Sequence, residues 1–498
     1  MPLPEASGTD IKRDIVRRRL QRIATEGFAM GHPVPQTRQV PLVPFDRPPF
    51  VICEVKRKSP SKGVIAGDLD AVAQARRYVD AGVKTISVLT EEDQFGGSLA
   101  DLMAVKNAFP DIAVLRKDFL VRKEDVDVTY RAGADAVLLI ASLLEPTELA
   151  DLKTHAERLG LAVFVEVHDE ADCTKARTLA PAFTGINCRD LTDFRIDRAI
   201  PLRTRRFVDW PTRLVYESGI FRAEEAQWAG ASGFQGVLVG EGAVRRPELA
   251  AELVQQFRPT PGLSFWAKLY GHSPGGVARA TPNRPYVKIC GLTRAEDVLL
   301  ADALGTDLVG FIFAEGSKRR VTPEFVRSLP PTRALKVGVV QIAPGQGVPD
   351  EIAELVDEGF LDALQFHGEE DAELVDAWST HGYKAVGLAG EASWSRWGQT
   401  SAPRILMDAA TIGSSGTRVS GGTGQTVAEA ELAALASTPF GGSRLWLAGG
   451  LSPENIAAVV TRWKPELVDA SSGLESSPGV KDAAKMKRYF AAIDGASR

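Results

Sequence analysis

The sequence predicts an α/β protein built as two tandem (β/α)8 barrels, on three observations. Short runs rich in Val, Ile, Leu and Ala recur along the chain, separated by segments with apolar residues at three- and four-residue spacing. These runs come in two sets of eight. A Pro- and Gly-rich stretch without sustained periodicity lies between the sets. The length of 498 residues fits two barrels of about 250 residues each better than three average domains of about 150.

Near the N-terminus, Ile11, Ile15, Leu20 and Ile23 share one helix face, so the basic residues between Lys12 and Arg22 read as its solvated side. The first strands follow at residues 50–56 (FVICEVK), 85–90 (TISVLT), 113–119 (AVLRKDF) and 136–141 (AVLLIA). The set continues at 162–167 (AVFVEV), 183–188 (FTGINC), 213–219 (RLVYESG) and 236–240 (GVLVG). Helical patterns such as 70–81 and 148–159 separate them. Strand alternating with helix implies right-handed βαβ units and a parallel sheet, and eight units with none left over imply a closed TIM barrel.

Residues 259–284 read as a linker with a short helix around 264–270, which divides the chain into domains 1–258 and 285–498. The second set then runs 286–292 (YVKICGL), 308–313 (LVGFIF), 335–340 (LKVGVV) and 363–368 (ALQFHG). It ends with 384–390 (KAVGLAG), 404–409 (RILMDA), 444–450 (RLWLAGG) and 467–473 (LVDASSG). A doubly wound sheet is the alternative for either half, but its G-x-G-x-x-G turn after the first strand is absent from both.

The 59 Lys and Arg against 64 Asp and Glu leave a net charge of −5, with 44% hydrophobic and 25% charged residues. That balance excludes a largely disordered chain and lacks the basic face a nucleic-acid binder needs. Cys53, Cys173, Cys188 and Cys290 lie far apart, which excludes a disulfide scaffold and a zinc ribbon and fits a reducing compartment. The N-terminus lacks the apolar core of a signal peptide, and no run of about 18 apolar residues occurs. The expectation is a soluble cytoplasmic protein without membrane or nucleic-acid partners.

Barrel chemistry sits at the C-terminal ends of the strands. In the first half those ends carry Glu54 and Lys56, two residues apart and so on one face, then Lys117, Glu166, Asn187, Arg189 and Glu217. For any one of them a structural ion pair is the competing reading. Together, three carboxylates and two lysines in one mouth suit general acid–base work. After strands seven and eight, Ser218, Gly219 and Gly240 fall where barrels hold phosphate, and the turn from Ser59 to Gly63 adds a hydroxyl and a cation.

In the second half Cys290 ends the first strand on the same face as Lys288, where a thiolate serves as a base if its pKa is lowered. Asp408 ends the sixth strand as the matching acid. Gly450, Ser472 and Gly473 repeat the phosphate pattern, and Arg319 is placed to meet an anionic group. The six histidines show no metal-ligand spacing and most read as surface residues; His367 at a strand end is ambiguous. Neither a metal nor an organic cofactor is expected.

Residues 50–242 resemble indole-3-glycerol-phosphate synthase, through EVKRKSPSKG, LRKDF, FVEVH, GINCRDL, ESGI and LVGEG. Residues 286–482 resemble phosphoribosylanthranilate isomerase, through VKICGLT, GFIF with SKRR, LQFHG, the aspartate of ILMDA, GGTG, LAGGLSPEN and VDASSGLESSPGVKD. The resemblance implies two consecutive steps of tryptophan biosynthesis. The second half would convert N-(5′-phosphoribosyl)anthranilate to 1-(2-carboxyphenylamino)-1-deoxyribulose 5-phosphate, with Cys290 as base and Asp408 as acid. The first half would close that product to indole-3-glycerol phosphate with loss of carbon dioxide and water. There Lys117 matches the general acid, Glu166 the group assisting dehydration, and Lys56 the residue engaging the substrate carboxylate. Glu54, Asn187, Arg189 and Glu217 match the supporting polar shell. Substrates are then small phosphorylated anthranilate derivatives, and a monomer is expected.

The sequence departs from the family pattern at Tyr216 before ESGI, at Glu241-Gly242 after the eighth strand, and at Arg320 beside Arg319. The loop between Asp408 and GGTG is long, and QTVAEA follows GGTG where an aromatic start is usual. Two alternatives remain: a Schiff-base phosphosugar aldolase using Lys56 or Lys117, and a chain in which one barrel is a non-catalytic scaffold.

Overall fold

Side chains alternate faces along a strand, so in a closed barrel every second residue points to the axis. The inward series of the first half are apolar at the start of each strand and polar at its end: Ile52 then Glu54, Leu115 then Lys117, Phe164 then Glu166, Val215 then Glu217. Such strands close a hydrophobic floor and leave a charged rim.

The computed structural model describes residues 11–59, 63–189, 195–260, 264–271, 284–388, 397–398, 400–408, 411–412, 418–419, 432–433, 435 and 444–497, and of these the side chains of 59, 411–412 and 418–419 are not described. It divides into two units, Met1–Pro261 and Gly262–Arg498. The first unit is a closed parallel barrel of β1 (Val51–Val55), β2 (Thr85–Leu89), β3 (Ala113–Lys117), β4 (Ala136–Ile140), β5 (Ala162–Val167), β6 (Phe183–Asn187), β7 (Arg213–Glu217) and β8 (Gly236–Val239). Pairing of Val51 with Val237 closes it. The second is a closed barrel of β9 (Tyr286–Cys290), β10 (Leu308–Ile312), β11 (Leu335–Val340), β12 (Ala363–Phe366), β13 (Gly382–Gly387), β14 (Leu406–Asp408), β15 (Trp446–Ala448) and β16 (Leu467–Ala470). Tyr286 paired with Leu467 closes that one. Closure in both halves decides against the doubly wound alternative.

The first floor is sealed by aromatic packing. Phe45, from the segment before β1, stands edge-on to Phe50, Phe164 and Phe183, with ring centroids 5.6, 6.0 and 5.1 Å away. The helix Ile11–Glu26 buries Ile15 and Val16 in the same core. Its basic side is not wholly solvated as expected: Arg19 is buried, 2.7 Å from Asp125 and 3.4 Å from Asp118. The Asp118 carboxylate also binds Arg116, which is fully buried.

The second floor is sealed by a helix that the sequence places in the linker. Ser264 caps Phe265–Leu269 by accepting from the Ala267 N–H at 2.9 Å. Trp266 is fully buried; its indole N–H donates to the Ser379 carbonyl at 2.7 Å, and its ring lies 5.7 Å from Trp446. The sequence predicts this short helix, but no stripe announces its burial, because its apolar residues fill a barrel end. Residues 272–283 of the linker lie outside the described residues.

Two candidate active sites

In the first barrel, Glu54, Lys56, Lys117, Glu166, Asn187, Arg189, Ser218, Gly219 and Gly240 line one pocket of about 780 Å³. Burying charge is costly unless it is paired, and the pairs are present. Lys56 Nζ lies 2.7 Å from Glu54 Oε1. Lys117 Nζ lies 3.2 Å from Glu166 Oε2 and also binds Glu217. Glu217 is not in the wall but fully buried behind Lys117. Asn187 Nδ2 donates to Glu166 Oε1 at 3.3 Å, and its Oδ1 accepts from the Arg189 backbone N–H at 3.0 Å.

This arrangement separates the protonation of its members. Burial disfavours the Lys117 charge, but Glu217, Glu166 and Glu54 outweigh burial and raise its pKa, so the ammonium persists. Burial also opposes the charge on Glu166, yet Lys117 and His168 hold its carboxyl well below the usual range. Burial pushes the Glu217 carboxyl up; Lys117 pulls against that shift and Glu166 adds to it. A cation that donates protons thus stands between one ionised carboxylate and one that holds its proton more readily.

The glycine-rich strand ends fit a cradle. Ser218 adopts φ +70° and Gly219 φ +71°, and a left-handed non-glycine residue is strain of the kind stored at functional sites. A Cβ on Gly240 would stand 2.7 Å from Glu54 Oε1 and 2.9 Å from Lys56 Nζ, so only glycine admits that pair. Ser59 begins the segment whose side chains, with residues 60–62, lie outside the description.

Two departures from the family pattern find reasons here. Tyr216 faces the helices, where its ring is edge-on to Trp228 at 5.2 Å and its hydroxyl donates to the Arg198 carbonyl at 3.0 Å. It cannot disturb the mouth. Glu241 does line the pocket; Arg245 holds one carboxylate oxygen at 2.9 Å and the other is buried without a partner.

The histidines correct the expectation of surface placement. His32 and His155 are half-buried, each with Nε2 2.8 Å from a carboxylate oxygen, of Glu92 and Asp127 respectively. His168 is enclosed, with Nε2 3.2 Å from Glu166 Oε1 and Nδ1 3.2 Å from Asp172 Oδ2. Its place one residue beyond β5 and four before an acid at a helix start is the signal that reveals it.

In the second barrel, Cys290, Asp408, Arg319, Gly450, Ser472 and Gly473 line a pocket of about 1670 Å³ together with Gln365, His367 and Asp469. His367 Nε2 lies 3.2 Å from Asp408 Oδ2, and its Nδ1 lies 3.1 Å from Gln365 Nε2. The Gln365 carbonyl accepts from Lys288 at 2.8 Å and from the Tyr383 hydroxyl at 3.1 Å. Its amide therefore donates to Nδ1, which leaves the proton of a neutral ring on Nε2, facing Asp408. Lys288 also binds Asp469 Oδ2 at 2.6 Å, while the other Asp469 oxygen is buried without a partner.

The Cys290 thiol does not meet the condition of a lowered pKa that the sequence attaches to its role as base. Burial pushes its pKa up, Lys288 and Lys481 pull it down, and Asp469 reinforces the rise. Arg319 binds Glu475 through Nε at 2.9 Å and Nη2 at 2.8 Å. Arg320 is half-exposed and absent from the pocket wall. GGTG, QTVAEA and most of the loop after Asp408 lie outside the described residues. Among the described residues, no three His, Cys, Asp or Glu side chains are placed to hold a metal ion, and no helix is long and apolar enough to cross a membrane.

Residues 32–256 match the family described as indole-3-glycerol phosphate synthase, and residues 287–492 match N-(5′-phosphoribosyl)anthranilate (PRA) isomerase. A multifunctional tryptophan biosynthesis protein of Phycomyces blakesleeanus is 31% identical over 92% of this chain and 64% of its own length. The chain thus spans just under two thirds of that relative. An indole-3-glycerol phosphate synthase of Exiguobacterium sibiricum is 40% identical, over 41% of this chain and 79% of its own. A solved phosphoribosyl anthranilate isomerase from Thermus thermophilus is 37% identical over 42% of this chain and 98% of its own, with a TM-score of 0.35.

Proposed function

The chain belongs to the indole-3-glycerol phosphate synthase family in its first barrel and to the PRA isomerase family in its second, and we propose that it catalyses both reactions in sequence. The second barrel isomerises N-(5′-phosphoribosyl)anthranilate to 1-(2-carboxyphenylamino)-1-deoxyribulose 5-phosphate. The first converts that product to indole-3-glycerol phosphate, carbon dioxide and water. The observation that carries this reading is that each barrel gathers acid–base groups and glycine-rich strand ends around one pocket.

In the isomerisation, Asp408 gives a proton to the ribose ring oxygen as the C1–O bond breaks, leaving an imine carbon at C1. Cys290 as thiolate removes the C2 proton, and the resulting enolamine becomes the ketone. Arg319 and Ser472 serve the anionic ends of the substrate. The raised Cys290 thiol makes its thiolate a minor species at neutral pH, so this step accelerates with pH.

In the ring closure, the carboxylate-bearing aromatic carbon attacks the substrate's carbonyl carbon while Lys117 donates a proton to the carbonyl oxygen. Carbon dioxide leaves and returns its bonding electron pair to the ring; the new hydroxyl then departs as water with a proton from Lys117, recharged from solvent, while Glu166 accepts the proton lost from the neighbouring ring carbon. Lys56 engages the substrate carboxylate while Glu54 and Glu217 hold the two lysines. Ser59, Ser218, Gly219 and Gly240 serve the phosphate. A Lys117 held charged by carboxylates is an acid, which disfavours the Schiff-base aldolase. Both pockets draw every lining residue from their own unit, which supports a monomer. Four free thiols support a reducing, cytoplasmic setting.

The test supplies the purified chain with phosphoribosylanthranilate and follows indole-3-glycerol phosphate and carbon dioxide. Both appear on this account. Accumulation of the deoxyribulose phosphate would exclude the ring-closing step, and a borohydride-trapped lysine adduct would favour the aldolase.

A further inference from the structure

Lys117 stands between Glu166 and Glu217, and because burial favours the protonated Glu217 carboxyl, Glu166 is the ionised carboxylate of the two. The group that meets it is His168, which no step above uses and which does not line the pocket.

His168 is fixed at both ends. Its backbone N–H donates to Asp172 Oδ2 at 3.1 Å, and its carbonyl accepts from the Thr204 hydroxyl at 3.0 Å. Nδ1 is hydrogen-bonded to Asp172 Oδ2 at 3.2 Å, whereas Nε2 approaches Glu166 Oε1 at 3.2 Å as an ion-pair contact without hydrogen-bond geometry, and the side chain is 13% exposed. Asp172, in the first turn of the helix Glu170–Arg177, is buried as well. A neutral imidazole would set a lone pair against one of these carboxylate oxygens, so two acidic neighbours select the doubly protonated ring. The charges then alternate along a row, Lys117, Glu166, His168, Asp172, with the Glu217 carboxyl beyond Lys117.

We propose that His168, anchored by Asp172, is a positioning residue for the ring-closing reaction, clamping Oε1 of Glu166 so that Oε2 stays on Lys117 at the pocket wall. The inference rests on the ring-closing function proposed above. His168 acts through Glu166 and touches no substrate. Asn187 donates a hydrogen bond to the same oxygen at 3.3 Å but cannot supply charge. The charged groups facing the imidazole are Glu166 on its own strand and Asp172 on the following helix, with Lys117 and Glu217 beyond Glu166.

The experiment compares the full chain with His168→Ala and His168→Gln, assaying ring closure of 1-(2-carboxyphenylamino)-1-deoxyribulose 5-phosphate from pH 6 to 9.5. A glutamine amide reaches the position of Nε2 and restores a donor without charge. The alanine variant is expected to lose at least tenfold in kcat with KM within about threefold, and the glutamine variant to recover most of that loss. Wild-type kcat should also fall as the ring deprotonates on the alkaline side, and the glutamine variant should lack that limb. A His168→Ala variant within twofold of wild type in kcat overturns the proposal. So does a glutamine variant that keeps the alkaline limb, which holds even if the alanine variant does not fold. A wild-type chain inert in ring closure overturns the function of the site, and nitrogen NMR of His168 then judges the clamp alone: both ring nitrogens protonated at pH 8 support it, and a neutral ring contradicts it.

Discussion

Glu217 pairs with Asn187 across β6 and β7, and its carboxylate lies over Gly185 two residues earlier, where a Cβ would overlap both that carboxylate and the Phe164 ring. The missing side chain is the space in which Glu217 reaches Lys117. Gly185→Ala should therefore destabilise the first barrel by about 1–3 kcal/mol through overpacking. It should cut ring closure at least a hundredfold and leave isomerisation unchanged, as steady-state assays of both reactions on one preparation would show.

Lys117→Met should cost more than catalysis. It strips Glu166 and Glu217 of their shared cation, and breaking such a buried pair costs about 3–5 kcal/mol. Adding Glu166→Gln removes the stranded charge, so the double variant should be more stable than Lys117→Met alone in urea denaturation.

Stability of the first barrel should fall as pH rises past neutrality. The His168 pKa is raised from 6.5 to about 9; burial opposes its charge, but Asp172 and Glu166 prevail. The folded state holds this proton more tightly, so the gain is fully present below pH 6.5 and is lost as pH passes through about 9. For this largely enclosed group it is on the order of 3 kcal/mol. The raised Glu217 carboxyl has the same sign at lower pH. Denaturation midpoints should drop between pH 6.5 and 9.5, and His168→Gln should flatten the drop.

Lys288→Met should slow isomerisation at least tenfold at pH 7.5 and shift its rate profile to higher pH, because Lys288 pulls the Cys290 thiol down against burial. It also leaves Asp469 buried without its cation, at about 3–5 kcal/mol. A pH-rate profile of the variant unmoved from wild type would contradict this.

Trp266→Ala should destabilise the second barrel by about 3–5 kcal/mol by emptying its floor. A second barrel begun at residue 262 should accordingly melt higher than one begun at 285.

The period-two alternation that fixes both barrels also made most strand-end groups legible. Glu54 with Lys56, and Leu115 before Lys117, follow from counting alone. The same count reaches Gln365 beneath His367, and Asp469 two residues before Ser471. Their importance comes from Lys288 crossing the barrel to meet both, and no linear pattern encodes that. His168 escaped because it lies beyond its strand, where alternation ends and the turn into the next helix decides its direction. Trp266 escaped because a floor plug needs only to be large and apolar. The sixth-strand loop of the second barrel, with GGTG, lies outside the described residues.

The most direct test of two separate catalytic centres is to assay both reactions on the full chain carrying either Lys117→Ala or Cys290→Ala. Loss of ring closure alone from the first variant, and of isomerisation alone from the second, is the predicted result. A folded chain in which either substitution removes both activities would contradict it.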